Sequence, residues 1–169
     1  YLAYTKTGER GGTTAVLRAR LEGNRLVDSR DIFVADAWIA SGLNPGGRLA
    51  FDRSGMLYAS IGDRGPTTEP LSQDLTKHNG KIVRLYDDGR IPDDNPFVGR
   101  QDAKPEIYSY GHRNVQGLAI HPFTGALWAN EHGPQGGDEV NLVTAGKNYG
   151  WPRVSLGREY NGDPISDAW

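Results

Sequence analysis

Gly47-Arg48-Leu49-Ala50-Phe51 is a short apolar run that a turn joins to a second run, Gly55-Met56-Leu57-Tyr58-Ala59. About 70 residues further on, the same pattern returns as Gln116-Gly117-Leu118-Ala119-Ile120 and Gly125-Ala126-Leu127-Trp128-Ala129. Each copy reads as two strands joined by a turn that reaches glycine, which is typical of a β-hairpin. A hairpin that recurs at a fixed interval is typical of a β-propeller, whose blades are small four-stranded antiparallel sheets.

A second repeat alternates with the first. The segment from Arg20 to Leu26 resembles the segment from Arg84 to Ile91, at a separation of about 65 residues. Both segments predict a hairpin, because their turns carry Gly with Asn or Asp, the residues that tolerate positive φ. Alternating hairpins are the order expected of four-stranded units in a row, so the sequence predicts an all-β, propeller-like fold. The alternative is a β-sandwich that contains two similar hairpins.

Ten short strands are predicted, which amounts to about two and a half blades of a partial β-propeller domain, 1-169. Its blade-like units are about 1-46, 47-115 and 116-169. Because a closed propeller needs at least about four blades, free sheet edges are expected. We therefore expect either a piece of a longer protein or self-association that closes the ring. The predicted strands are Leu2–Thr5, Thr14–Leu21, Leu26–Val34, Arg48–Asp52, Met56–Ile61, Lys81–Leu85, Glu106–Tyr110, Gly117–Ile120, Ala126–Asn130 and Glu139–Val143.

The composition excludes several classes of protein. The 169 residues include 23 Gly and 10 Pro, which favours short strands and turns over long helices. The net charge of −2 leaves no basic surplus for binding a nucleic-acid backbone. No apolar run reaches about 18 residues, so no membrane span is predicted. The sequence contains no Cys, which excludes disulfides, thiolate nucleophiles and cysteine zinc sites.

Three loops at predicted strand ends, 61–65, 108–116 and 130–139, hold the candidate functional groups. In the second loop, Arg113 beside Asn114 suits recognition of a carboxylate or a polar ring, because a guanidinium offers a planar fork of donors. An Arg that bridges two blades is the alternative.

The third loop, from Glu131 to Glu139, combines three carboxylates with three glycines. Carbonyl and carboxylate oxygens are the ligands that Ca²⁺ prefers, so a calcium site is predicted, with a tight solvated turn as the alternative. The pair His112 and His132 lacks the spacing of a helical zinc motif, and zinc is therefore disfavoured.

Eight segments between Gly47 and Pro152 carry a resemblance to a known family, and they keep its order and spacing. The segments are GRLAFD at 47–52, LYASIGDRG at 57–65, QD at 73–74, GKIVRL at 80–85, IPDDNPF at 91–97, YGHRN at 110–114, EHGP at 131–134 with GDE at 137–139, and GKNYGWP at 146–152. Together they resemble the soluble, pyrroloquinoline-quinone (PQQ) dependent aldose sugar dehydrogenases, the glucose/sorbosone dehydrogenase family. The last three segments are specific in combination.

The resemblance implies a six-bladed propeller with the cofactor on top, of which this chain covers roughly half. By the family pattern, Arg113 and Asn114 would contact PQQ, and Arg113 would lie at the catalytic centre. The backbone carbonyls of Gly133 and Pro134 would bind a Ca²⁺ that also contacts PQQ. In some members a second, structural Ca²⁺ has two further ligands, which correspond here to the Glu139 side chain and the Tyr149 carbonyl.

One position departs from the family pattern in a way that affects catalysis. The family has a His four residues before the Arg of the Gly-Arg-Leu strand, and that His acts as the general base toward the sugar. In this chain the position is Asn44, and a neutral amide cannot accept the proton at useful cost. Loss of a general base typically lowers the rate about 10²- to 10⁴-fold.

The resemblance therefore implies part of a PQQ- and calcium-dependent dehydrogenase that oxidises an aldose to its lactone, outside the cytoplasm in the periplasm or as a secreted protein. A non-catalytic propeller that kept the fold and lost the redox step is the alternative, and Asn44 favours it. A metal-dependent lactonase is a third hypothesis. It would need several side-chain ligands on one axis, and the sequence does not supply an obvious set.

Overall fold

The computed structural model describes residues 1–165, which form ten β-strands and one 3₁₀ helix. All ten predicted strands are confirmed, with ends displaced by at most a few residues. The strands are rich in β-branched and aromatic residues and are separated by Gly, Asn and Asp at the turns, which explains why the pattern located them. They are β1 (Leu2–Gly8), β2 (Gly11–Glu22), β3 (Arg25–Val34), β4 (Gly46–Phe51), β5 (Leu57–Ile61), β6 (Lys81–Leu85), β7 (Ile107–Tyr110), β8 (Val115–Ile120), β9 (Leu127–Glu131) and β10 (Glu139–Val143).

The strands form three antiparallel sheets of consecutive strands: β1-β2-β3, β4-β5-β6-β7 and β8-β9-β10. The two copies of the sequence repeat become equivalent hairpins, β4–β5 and β8–β9, and strands β4 and β8 contact each other. Leu49 pairs with Ala59 in the first hairpin and Leu118 with Ala129 in the second, so the repeat also predicts the register. The all-β fold is confirmed, whereas the unit boundaries at 46 and 115 remain a prediction.

The core lies between the sheets, and β5 separates its two parts. Leu57, Ala59 and Ile61 of β5 pack into a cluster with residues of the first sheet, whereas Tyr58 packs into a cluster with residues of the third. This strand is buried on both faces because a blade lies on either side of it. The first cluster adds Val16, Phe33, Ala35, Ala37, Val83 and Leu85, and the second adds Ile82, Val115, Leu127, Ala129 and Val143.

The 3₁₀ helix Glu69–Gln73 forms inside the segment 67–79, for which no regular structure was predicted. Its backbone is held by Lys81, a fully buried residue whose Nζ donates to the carbonyls of Leu71 and Ser72 at 3.0 Å and of Asn79 at 2.6 Å. Burial lowers the pKa of Lys81 to about 7. Within the described residues no helix is long and apolar enough to cross a membrane.

The hairpin predicted from Arg84 to Ile91 is wrong. The turn itself forms, with the Tyr86 N–H donating to the Arg90 carbonyl at 2.8 Å. The chain does not return as a strand at Ile91, because Pro92 follows and has no N–H to give to a sheet. A loop of irregular structure runs on instead, and β7 pairs with β6 only from Ile107 onward.

Candidate functional site

The loops that follow β5, β7 and β9 meet at one end of the sheets. The N–H of Asp63, after β5, donates to the Arg113 carbonyl at 2.7 Å. The N–H of His132, after β9, donates to the Asn114 carbonyl at 3.2 Å. Backbone hydrogen bonds therefore join the three loops that the sequence singled out.

Glu131, the last residue of β9, is a buried carboxylate at the centre of these loops. Its Oε2 accepts from the Arg113 N–H at 2.6 Å, and its Oε1 accepts from His112 Nδ1 at 2.8 Å and Asn141 Nδ2 at 3.0 Å. His112 Nε2 lies 2.9 Å from Ser109 Oγ, so both ring nitrogens are engaged. Burial opposes ionisation of Glu131, but the facing His112 and the N–H donors hold its pKa below its usual range.

The guanidinium of Arg113 contacts the loop that follows Glu131. Its Nη1 donates to the Gly133 carbonyl at 2.7 Å and to the His132 carbonyl at 3.1 Å, and its Nη2 donates to the Tyr160 hydroxyl at 3.3 Å. The guanidinium carbon lies 5.3 Å from the centre of the Trp151 ring, which is within the range of a cation–π contact. The Nε of Arg113 is buried and has no partner among the described residues.

Asn44 lies beside a second buried carboxylate, Asp63. Asp63 Oδ1 accepts from Asn44 Nδ2 at 2.8 Å and from the Gly65 N–H at 2.9 Å, and Oδ2 accepts from Trp151 Nε1 at 2.8 Å. Burial raises the pKa of Asp63, although these donors oppose the rise. Asn44 Oδ1 in turn accepts from Asn114 Nδ2 at 3.3 Å, so the structure brings the predicted base position next to the predicted cofactor contact.

A narrow cavity between the loops brings together most of the residues predicted to bind metal. Gly133, Glu139 and Tyr149 all line it together with Arg113, whereas Pro134 is not among its lining residues. Burial raises the pKa of Glu139, and the nearby negative charge of Glu131 adds to the rise.

The residues present fit the metal and the cofactor that the resemblance implies. Asn141 Nδ2 donates both to Glu131 Oε1 and to Glu139 Oε2 at 3.0 Å, so the two carboxylates lie close together, and a cation in the cavity would offset the repulsion between them. The Gly133 carbonyl already accepts one hydrogen bond from Arg113 and keeps a second lone pair for a metal ion. The buried, unpartnered Nε of Arg113 leaves one donor for an acceptor from outside the chain.

The two histidines considered as a zinc pair have separate surroundings. His112 is fully buried and bonded to Ser109 and Glu131, whereas His132 is exposed, with Nδ1 3.7 Å from Asp138 Oδ2. Residues 1–165 contain no group of three or more His, Cys, Asp and Glu arranged to hold a metal ion.

Several participants were missed by reasoning from the sequence. Asp63 lies in the first of the three predicted loops but had no predicted role, although its place in the Gly62-Asp63-Arg64-Gly65 turn after a predicted strand was an available signal. Tyr160 carried no signal, because only the folded chain brings it to Arg113. Glu69 was also missed: burial, with Asp63 and Glu159 nearby, raises its pKa to about 7.

Consecutive antiparallel sheets that pack face to face, with polar groups gathered on the loops at one end, define a β-propeller with a candidate site on its strand-end loops. Solved structures confirm this class. The chain is similar to the soluble aldose sugar dehydrogenase of Escherichia coli in its apo form, with 42% identity and a TM-score of 0.93, over 99% of this chain and 50% of that one. It is also similar to the PQQ-bound aldose sugar dehydrogenase of Streptomyces coelicolor, with 34% identity and a TM-score of 0.73, over 95% and 46%.

The family follows from two comparisons of sequence. The family model described as Glucose / Sorbosone dehydrogenase matches residues 1–168. The aldose sugar dehydrogenase YliI of Escherichia coli (strain K12) is 46% identical over 171 residues, which cover 99% of this chain and 46% of that protein. The chain therefore belongs to the glucose/sorbosone dehydrogenase family, and it spans about half the length of this relative.

Proposed function

We propose that this chain is part of a PQQ- and calcium-dependent dehydrogenase that oxidises an aldose to its lactone. The observation that carries the proposal is the Arg113 side chain, held by the Gly133 carbonyl and the Trp151 ring with a buried donor still unused. Membership of the family supports it, as does the PQQ-bound state named for the Streptomyces coelicolor relative.

Each predicted site residue has a role in this proposal. Arg113 and Asn114 hold the cofactor, and the carbonyls of Gly133 and Pro134 bind calcium. When bound, PQQ would supply a two-electron acceptor, and calcium would supply Lewis-acid polarisation beside it. A second calcium site is proposed for the cavity, with two ligands from this chain, the Glu139 carboxylate and the Tyr149 carbonyl.

The chain's own residues orient a sugar better than they accept its proton. Asn44 presents an amide that is already fixed between Asp63 and Asn114. Asp63 is fully buried, so its carboxylate holds Asn44 and does not reach a substrate. Proton removal at this position is consequently slow, and we expect a low rate of sugar oxidation.

Asn44 is the one observation that favours the non-catalytic alternative. The comparisons do not favour it, since the named relatives are aldose sugar dehydrogenases. Action on an aldose, location in the periplasm or outside the cell, and self-association that closes the ring are all part of the proposal for the whole protein.

Reduction of PQQ tests the proposal directly. The chain is loaded with PQQ and Ca²⁺, an aldose is added, and the absorbance of the oxidised quinone is followed. Bleaching that depends on both the aldose and the protein is the expected result. A stable quinone spectrum in a preparation that binds PQQ would favour the non-catalytic module, and opening of an added lactone without PQQ would favour a hydrolase.

A further inference from the structure

We propose that Glu131 is a positioning residue for the candidate site. Its carboxylate fixes the position of the Arg113 backbone and, through Arg113, the positions of the His132 and Gly133 carbonyls. This inference rests on the proposed function, since the groups that Glu131 positions are those assigned there to PQQ and calcium. Its role is indirect: the carboxylate contacts Arg113 and His112, and it acts on a ligand through them.

The third sheet holds the backbone of Glu131 in place. Glu131 pairs with Val115 of β8 on one side and with Glu139 of β10 on the other, so its backbone is held between two strands. The side chain is almost fully buried and has three hydrogen-bond donors on its two oxygens, including Asn141. A carboxylate with this many partners has one stable orientation.

Hydrogen bonds run in both directions between the segments that contain Glu131 and Arg113. The Glu131 carboxylate accepts from the Arg113 N–H, and the guanidinium of the same Arg113 donates to the carbonyls of His132 and Gly133, the next two residues after Glu131. Three hydrogen bonds therefore join the two segments, one to the Glu131 carboxylate and two from the Arg113 guanidinium. A change in the Glu131 oxygens would displace the guanidinium and the Gly133 carbonyl together.

Glu131 also contacts His112, whose ring packs on Tyr149, a predicted calcium ligand. An ionised carboxylate only accepts hydrogen bonds, so His112 Nδ1 carries a proton and donates to Glu131. The other ring nitrogen, Nε2, lies 2.9 Å from Ser109 Oγ, so the ring is held at both nitrogens. The ring stacks on Tyr149 with 4.6 Å between centroids and 18° between planes, so Glu131 also orients a group packed on Tyr149.

The chain offers a matched control in a second Glu–His pair. Glu106 Oε1 lies 2.9 Å from His78 Nε2, and His78 Nδ1 accepts from the Asp36 N–H at 2.7 Å. This pair is also largely buried, but neither residue lines the cavity or contacts Arg113. Glu106→Gln therefore makes the same chemical change in a buried Glu–His pair away from the candidate site.

The test compares wild type, Glu131→Gln and Glu106→Gln by calorimetric titration with PQQ in the presence of Ca²⁺, and by NMR of the Arg113 amide and the His112 ring. A neutral amide accepts more weakly than a carboxylate, so both resonances should move in Glu131→Gln alone. We expect PQQ affinity to fall about 10- to 100-fold in that variant, as for other residues that orient a ligating group, and to stay unchanged in Glu106→Gln.

Unchanged PQQ affinity in Glu131→Gln, or an equal loss in Glu106→Gln, would overturn the inference. Failure of the proposed function gives a different pattern. If the wild-type chain binds no PQQ, the proposed function fails, and the resonances of Arg113 and His112 still decide whether Glu131 positions these groups. Resonances that match wild type in Glu131→Gln then overturn the positioning role as well.

Discussion

Asp63→Ala removes a buried acceptor that the structure surrounds with donors. The carboxylate accepts from Asn44 Nδ2, the Gly65 N–H and Trp151 Nε1 at 2.8–2.9 Å. Alanine would leave the buried Gly65 and Trp151 donors unpaired, and each such donor costs about 1–3 kcal/mol. Removal of a buried charge returns part of this cost, as the raised pKa of Asp63 indicates. We expect a net loss of about 2–4 kcal/mol in the free energy of unfolding.

Urea unfolding followed by tryptophan fluorescence measures this loss. Trp151→Phe removes the indole donor and leaves an aromatic ring, so a double-mutant cycle with Asp63→Ala isolates the bond between them. The expected coupling free energy is on the order of 1 kcal/mol, because the second substitution costs less once the first partner is absent. A loss below about 0.5 kcal/mol for Asp63→Ala, or strict additivity in the cycle, would refute the assignment of Asp63 as the residue that joins Asn44 to Trp151.

Three further predictions concern the surroundings of Asp63. The pKa of Glu69, raised to about 7, means that the folded chain holds a proton there which the unfolded chain loses near pH 4.5, so stability should fall as pH rises through that window. Glu69→Gln should remove this pH dependence and add on the order of 1 kcal/mol to the free energy of unfolding at pH 8, allowing for partial exposure. Urea unfolding at pH 5 and pH 8 measures this, and an equal change in the free energy of unfolding between the two pH values in wild type and variant would contradict it. A Cβ at Gly62 would lie 2.0 Å from the Asn44 carbonyl, so Gly62→Ala should cost about 2 kcal/mol or more, whereas Gly42→Ala, with open space at its Cβ, should stay near wild type in the same assay. Asn44→His places an imidazole against the Asp63 carboxylate and restores a group that can accept a proton. The rate of PQQ reduction by an aldose should rise about 10²- to 10⁴-fold. An unchanged rate would show that the missing base is not the cause of low activity.

Much of the fold follows from the sequence because its repeats encode strand, turn and register together. Leu49 and Leu118 occupy equivalent positions in the repeat and in the two hairpins. The hairpin expected to end at Ile91 failed for a local reason, since Pro92 cannot donate to a sheet, and this was readable from the sequence. The 3₁₀ helix Glu69–Gln73 was not readable, because Lys81, the first residue of the next strand, holds its backbone carbonyls through a buried contact that residue spacing does not show.

The candidate site was predictable only as far as its loops. Residue type and family pattern were enough to predict Arg113, Asn114 and Gly133 as site residues. The structure places them close together, and what they bind stays a prediction. The contacts that organise them cross between loops. Glu131 reaches Arg113 over 18 residues of sequence and Trp151 reaches Asp63 over 88, so no local pattern could reveal them.

The central claim is that the loops around Arg113 and Gly133 form a cofactor site that uses calcium. Calorimetric titration of the purified chain with PQQ, with and without Ca²⁺, tests it most directly. We predict binding that requires Ca²⁺ and that is lost in Arg113→Ala. An absence of binding under both conditions, in a chain that unfolds cooperatively and is therefore folded, would contradict the claim and leave this chain as a structural part of its propeller.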